Sequence, residues 1–176
     1  MRDIIKALLA SIVTIAFLSG CAMAPPVETS GVDDDFSETI SINTYGFSQP
    51  LMITATSPDW HIRGGIYKDT GETYHQVYAV TTGTSFKAWD GAVTLVNGDR
   101  ELSEADRIAY DVDCSYGTCA HEEDVVISVS KELLEYWASN GGKVRMTTSS
   151  VDYTVDFEID PEEVTAYLDE FEKNIK

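Results

Sequence analysis

The chain has 176 residues, 30 of them acidic against 12 basic, with a formal net charge of −18 and 43% hydrophobic residues. That length supports one domain with its own core. The charge excludes nucleic acid and anionic headgroups as broad targets of the fold, since both are held by Lys and Arg neutralising phosphate, and leaves cationic ligands, divalent metals and basic protein patches compatible.

Residues 1–20 have the form of a secretory signal: basic Arg2 and Lys6, an apolar core over 7–18, and small residues at the end. The core falls short of the about 20 apolar residues that a membrane-spanning helix needs. Its closing residues, Leu18-Ser19-Gly20-Cys21, resemble the lipobox of bacterial lipoproteins. The resemblance stops at Cys21. It implies diacylation of the Cys21 thiol with palmitate-class chains, cleavage before Cys21, and acylation of the new amino terminus. Loss of Arg2, Lys6 and Asp3 with the signal leaves 156 residues carrying −19. Two or more acyl chains anchor a protein stably, so the membrane contact is the lipid anchor and not the fold. Ala22 follows the cysteine where an Asp would imply inner-membrane retention, so the resemblance points to the outer membrane, facing the periplasm.

Residues 21–35 are rich in Pro, Ser, Gly and acid, with the run Asp33-Asp34-Asp35, and read as a flexible acidic tether. A single globular domain is expected over 36–176. Strands are predicted at 39–44, 51–56, 60–67, 73–82 and 92–96, with turn signals at Asp69-Thr70-Gly71-Glu72 and Asn97-Gly98-Asp99. Residues 74–80 are apolar or aromatic on both faces, which suits a central strand. In 107–114 the even positions Ile108, Tyr110, Val112 and Cys114 share a face. The run 119–130 places Val125, Ile127 and Val129 on the face of Cys119.

Helical spacing begins at 131–138, with Ser130 as N-cap, Leu133, Leu134 and Trp137 on one side, and Asn140-Gly141 as the stop. Two strands follow, the second at 151–159 with every odd residue apolar. A two-residue Ser149-Ser150 turn would set Met146 against Tyr153, Val144 against Val155 and Lys143 against Asp156. A last helix is capped by Asp160, Pro161 and Glu163, with Val164, Leu168, Phe171 and Ile175 as its apolar face. The expected fold class is α+β: an antiparallel β-sheet or two-sheet sandwich with two helices in the C-terminal half packed on it.

Exported cysteines oxidise, and lipid on Cys21 leaves Cys114 and Cys119 to form a disulfide across a hairpin. Their spacing is not the C-x-x-C of redox motifs. Extending that hairpin sets Val112 against His121, Tyr110 against Glu123, Ile108 against Val125 and Asp111 against Glu122. Facing acids repel, so Asp111, Asp113, Glu122 and Asp124 read as a solvated acidic face or a bulged register, with Ca²⁺ as the candidate ion if a metal sits there. His121-Glu122 is half of a zinc-protease motif, without the second His and on a strand. His61 and His75 stand alone beside Trp60 and Tyr74. No nucleophile, base and orienter set is evident, and acids are too abundant for a carboxylate pair to be informative. Trp60, Tyr67, Tyr74, Tyr78, Phe86 and Trp89 cluster in sequence and read as core material.

The expected role is a non-enzymatic binding or envelope-accessory lipoprotein without a cofactor, its contacts being the membrane through its anchor and an envelope protein partner. The alternatives are a periplasmic hydrolase using carboxylates or a bound metal, and a Ca²⁺-stabilised adhesion or assembly module.

Overall fold

A computed structural model of the chain describes residues 27–35, 37–44, 58–114, 119–148 and 153–175. The signal, Cys21, the strand expected at 51–56 and the turns at 115–118 and 149–150 lie outside the described residues.

Among the described residues, nine strands make one antiparallel sheet: β1 (Val27–Ser30), β2 (Thr39–Thr44), β3 (Asp59–Tyr67), β4 (Thr73–Gly83), β5 (Trp89–Val96), β6 (Asp99–Asp113), β7 (Ala120–Ser128), β8 (Gly142–Thr148) and β9 (Thr154–Ile159). Their order is β1-β2-β3-β4-β7-β6-β5-β8-β9. Helix α1 (Lys131–Asn140) joins β7 to β8, and α2 (Pro161–Asn174) ends the fold. The α+β class holds, and a single curled sheet replaces the sandwich. The reason is β6. Its first part, from Asp99 to Glu104, pairs with β5, and its second, from Ala105 to Asp113, pairs with β7, so one strand joins what would be two sheets. A bulge between Arg107 and Ala109 adds bend, as bulges do. The curl brings Trp60 of β3 to Phe157 of β9, with ring centres 6.0 Å apart.

Local chemistry accounts for the joints. Asn97 (φ 52°) and Gly98 (φ 91°) form a two-residue turn between Val96 and Asp99, a turn that needs positive φ at both positions. Helix α1 is capped by Ser130 Oγ, which accepts from Leu133 N at 3.1 Å, and ends at Gly141, whose N–H donates to Trp137 O. Asp160 caps α2 by accepting from Glu162 N at 2.8 Å.

Four expectations are corrected. Val27–Ser30, placed in the tether, is strand β1. Residues 100–104, for which no strand was expected, form the first part of β6; the segment is largely exposed on both faces and so shows no alternation. Met146 faces Val155, Val144 faces Phe157 and Lys143 faces Glu158. This register is two residues away from that of a tight Ser149-Ser150 turn, and a shift of two keeps every side chain on its face. On α2 the buried residues are Glu163, Val164, Tyr167 and Phe171, while Ile175 is exposed, because the helix leans Tyr167 onto the sheet.

The core lies on the concave side, where Ile42, Ile62, Val77, Val125 and Ile127 meet Leu134, Trp137, Val164 and Phe171 of the helices. Both helices sit toward the end where β4 begins and β7 finishes: His75 Nδ1 is 2.9 Å from Tyr167 Oη and its ring is 4.5 Å from that of Phe171. Gly64 makes room for Tyr167, since a Cβ there would collide with the Tyr167 hydroxyl.

Candidate functional site

At the opposite end, the last residues of β4 and β6 and the first of β7 form a mouth. The alternation of β7 points His121 and Glu123 into the concave side and Glu122 and Asp124 out of it. Glu123 is only 2% exposed. A buried carboxylate must be fully hydrogen-bonded, and three donors meet it: Lys87 N at 2.6 Å, Ala88 N at 3.1 Å and Arg107 Nη1 at 3.2 Å. Glu123 therefore ties the segment between β4 and β5 to the sheet. Ala88 is held there at φ 56°, a left-handed conformation disfavoured for alanine.

That tie presents Phe86. Its ring contacts Tyr110 and His121 edge to face, at 5.0 Å and 4.6 Å, and the Arg107 guanidinium carbon lies 5.6 Å and 5.2 Å from the ring centres of Phe86 and Tyr110. Tyr110 is 64% exposed and Ile108 51%, with Val112 beyond them. His121 Nδ1 is buried without a hydrogen-bond partner among the described residues. On the next wall, Lys87 Nζ sits 4.5 Å from the Tyr153 ring centre, and Trp89 Nε1 donates to Thr81 Oγ1 at 2.9 Å. An open depression of about 390 Å³ lined by Tyr153, Thr154, Val155 and Asp156 adjoins it.

The hairpin register places Val112 opposite His121, Tyr110 opposite Glu123 and Asp111 opposite Glu122. Ile108 is not opposite Val125: the bulge puts Arg107 there, which is how Arg107 reaches Glu123. Cys114 and Cys119 are joined, with sulfurs 2.05 Å apart, at the tip of this β6–β7 arm. Of the acidic candidates, Asp111 accepts from Val112 N at 2.8 Å, and Asp124 accepts from the Tyr78 hydroxyl at 2.5 Å. Burial, followed by that bond to Asp124, pushes the Tyr78 hydroxyl up to about 12. Among the described residues, no group of three or more His, Cys, Asp or Glu side chains is disposed to hold a metal ion. The remaining histidines are packed: His75 on α2, and His61 on Tyr78 with ring centres 4.7 Å apart. Burial lowers the pKa of both, with Arg63 adding to the effect at His61 and Lys131 at His75.

Alternation in β6 and β7 makes Tyr110 and Glu123 neighbours, but the Glu123–Arg107 pair is invisible in that pattern because the bulge creates it. Of the six aromatics read as core material, Trp89 is buried, Trp60 packs partly buried against the core, Tyr74 and Tyr78 are half-buried, Tyr67 is 42% exposed, and Phe86 lines the mouth. No family model, no curated protein and no solved structure matches this chain.

Proposed function

We propose that this protein is a lipoprotein anchored through Cys21 to the outer membrane, facing the periplasm, and that it works as a non-enzymatic binding or envelope-accessory module. Its partner is met at the mouth. The observation that carries the binding role is the contiguous exposed group of Ile108, Tyr110 and Val112 beside Phe86, on an arm braced by the buried Glu123 and closed by the Cys114–Cys119 disulfide. Exposed apolar and aromatic side chains on a rigid support are what interfaces use as anchors. Glu123 is a poor general base for a hydrolase, because both its oxygens are committed to the Lys87 and Ala88 amides and to Arg107.

Photo-crosslinking from a benzoyl-phenylalanine at position 110 in intact cells tests the binding role. A discrete adduct that disappears when the group is moved to the outward-facing position 122 is expected; no adduct at 110 ends the reading. The anchor is tested separately with an alkyne fatty acid, whose incorporation should be abolished in Cys21→Ser.

A further inference from the structure

We infer that the mouth takes an oxyanion, a carboxylate or phosphate group, carried on an apolar or aromatic body. The inference rests on the binding role proposed for the same mouth and adds the chemistry of what binds.

The chain carries 30 acids against 12 bases, yet the pleat sorts them. On the β6–β7 arm, Asp111, Asp113, Glu122 and Asp124 occupy the outward positions, while Arg107, Tyr110, Val112, His121 and Glu123 occupy the inward ones. The inward carboxylate, Glu123, pairs with the Arg107 guanidinium and accepts from the backbone amide of Lys87, whose ammonium lies on the adjoining wall, 3.1 Å from Ser85 Oγ and 4.5 Å from the Tyr153 ring centre. The inward side of this arm thus sets one cation against one buried carboxylate and keeps the other acids on the outward side, with the Lys87 ammonium on the adjoining wall. Low-dielectric aromatic walls strengthen the field there.

The donors are also open. Arg107 donates one N–H to Glu123, its side chain is 34% exposed, and its other N–H groups have no hydrogen-bond partner among the described residues. Its position is fixed from below by Glu123 and from the side by Phe86 and Tyr110, which is the preorganisation that makes bidentate oxyanion capture effective. Buried His121 Nδ1 lacks a partner, and so does the exposed Tyr110 hydroxyl among the described residues; both side chains touch the same Phe86 ring. The Tyr110 and His121 rings and the Arg107 guanidinium therefore pack around Phe86, with the Arg107 N–H groups and the exposed Tyr110 hydroxyl as the donors open to a ligand. That arrangement suits an anionic head with an apolar body lying on Phe86 and Tyr110. A bare inorganic ion would leave the aromatic surface in water.

The test is an NMR titration of the full exported chain in a neutral maltoside detergent, reading the Lys87 and Ala88 amides and the Trp89 indole. The probes are benzoate, phenyl phosphate, benzyltrimethylammonium and benzyl alcohol. Benzoate or phenyl phosphate should give saturable shifts at these three groups, and the cation and the alcohol should not. The preferred anion then separates a carboxylate source from a phosphate source. Lys87→Gln, which leaves the Glu123–Arg107 pair in place, and Arg107→Gln should each weaken anion binding, the latter by roughly tenfold. Thermal unfolding of each variant shows whether the fold is intact. Binding of the cation or alcohol equal to that of the anions, no saturable shift, or unchanged affinity in both folded variants overturns the inference. A crosslink from position 110 that persists alongside such a result would retain the binding role and reject the oxyanion, so the two failures are distinguishable.

Discussion

Glu163 of α2 holds its carboxyl against the hydroxyl of Thr44 on β2, in a site where Glu163 is 2% exposed and no cation pairs with it among the described residues. Thr44 Oγ also accepts from Ile62 N at 2.9 Å and lies 3.4 Å from Ile62 O. This geometry accepts the carboxyl in either state. Ionised, Glu163 receives the Thr44 proton; protonated, it donates to Thr44, which then turns its own proton to Ile62 O. Burial favours the protonated form and raises the Glu163 pKa to about 7, with the bond to Thr44 opposing the rise and Asp160 adding to it.

The sign follows from linkage. A carboxyl whose folded pKa exceeds its unfolded value leaves stability intact below the unfolded value near 4.5 and removes it as pH rises through about 7. The loss is at most on the order of 3 kcal/mol. His75, lowered by burial, acts oppositely and costs stability as pH falls below its ordinary 6.5. Urea unfolding of wild type and Glu163→Gln between pH 5 and 9 separates them, since the difference between the two proteins reports Glu163 alone. The variant should lose the decline toward alkaline pH and be the more stable protein at pH 8. Parallel curves would show that Glu163 stays ionised.

Gly64→Ala should destabilise by more than about 2 kcal/mol. Its Cβ would strike the Tyr167 hydroxyl and lie 2.5 Å from the Tyr74 carbonyl oxygen. Adding Tyr167→Phe removes the first collision and leaves the second, which is backbone, so the double variant should recover only part of the loss in chemical denaturation.

Removing Glu123 strands three donors. Glu123→Ala should cost about 3 kcal/mol and accelerate hydrogen exchange at Lys87 and Ala88. Arg107→Ala should cost less, about 1 kcal/mol, because its side chain is 34% exposed. At Ala88, with φ 56°, glycine should stabilise by about 1 kcal/mol, a gain that an urea midpoint resolves.

Cys114→Ser should remove roughly 2 kcal/mol, the chain-entropy value for so short a closed loop. The melting temperature would then fall by roughly 4–8 °C. Reduction of the wild type should reproduce the shift; an unchanged melting temperature in both would deny the bridge a structural role.

Most of the individual elements were legible because their signals lie within a few residues. Asn97-Gly98 demands a tight turn, Ser130 and Asp160 cap their helices through their own side chains, and the alternation through Tyr110, Val112, His121 and Glu123 sets one face and most of a register. Where local contrast is missing, the reading failed. The Asp99-to-Glu104 part of β6 is wet on both faces and shows no alternation, β1 has only four residues, and a two-residue slip between β8 and β9 leaves the pattern unchanged.

By itself, then, the sequence determined the acidity, the turns at 69–72 and 97–99, the caps, the strand faces and the neighbourhood of Tyr110 and Glu123. The tertiary structure alone decided that β4 pairs with β7 and β5 with β8, that one curled sheet is closed by helices at one end, and that Arg107, Phe86 and Lys87 gather on Glu123 at the other. Spacing records which face a side chain takes, because that is a period of two or of 3.6 along the chain. Which distant face it meets depends on burial shared between segments far apart in sequence, and a bulge that moves Arg107 by one position changes that meeting without altering the pattern around it.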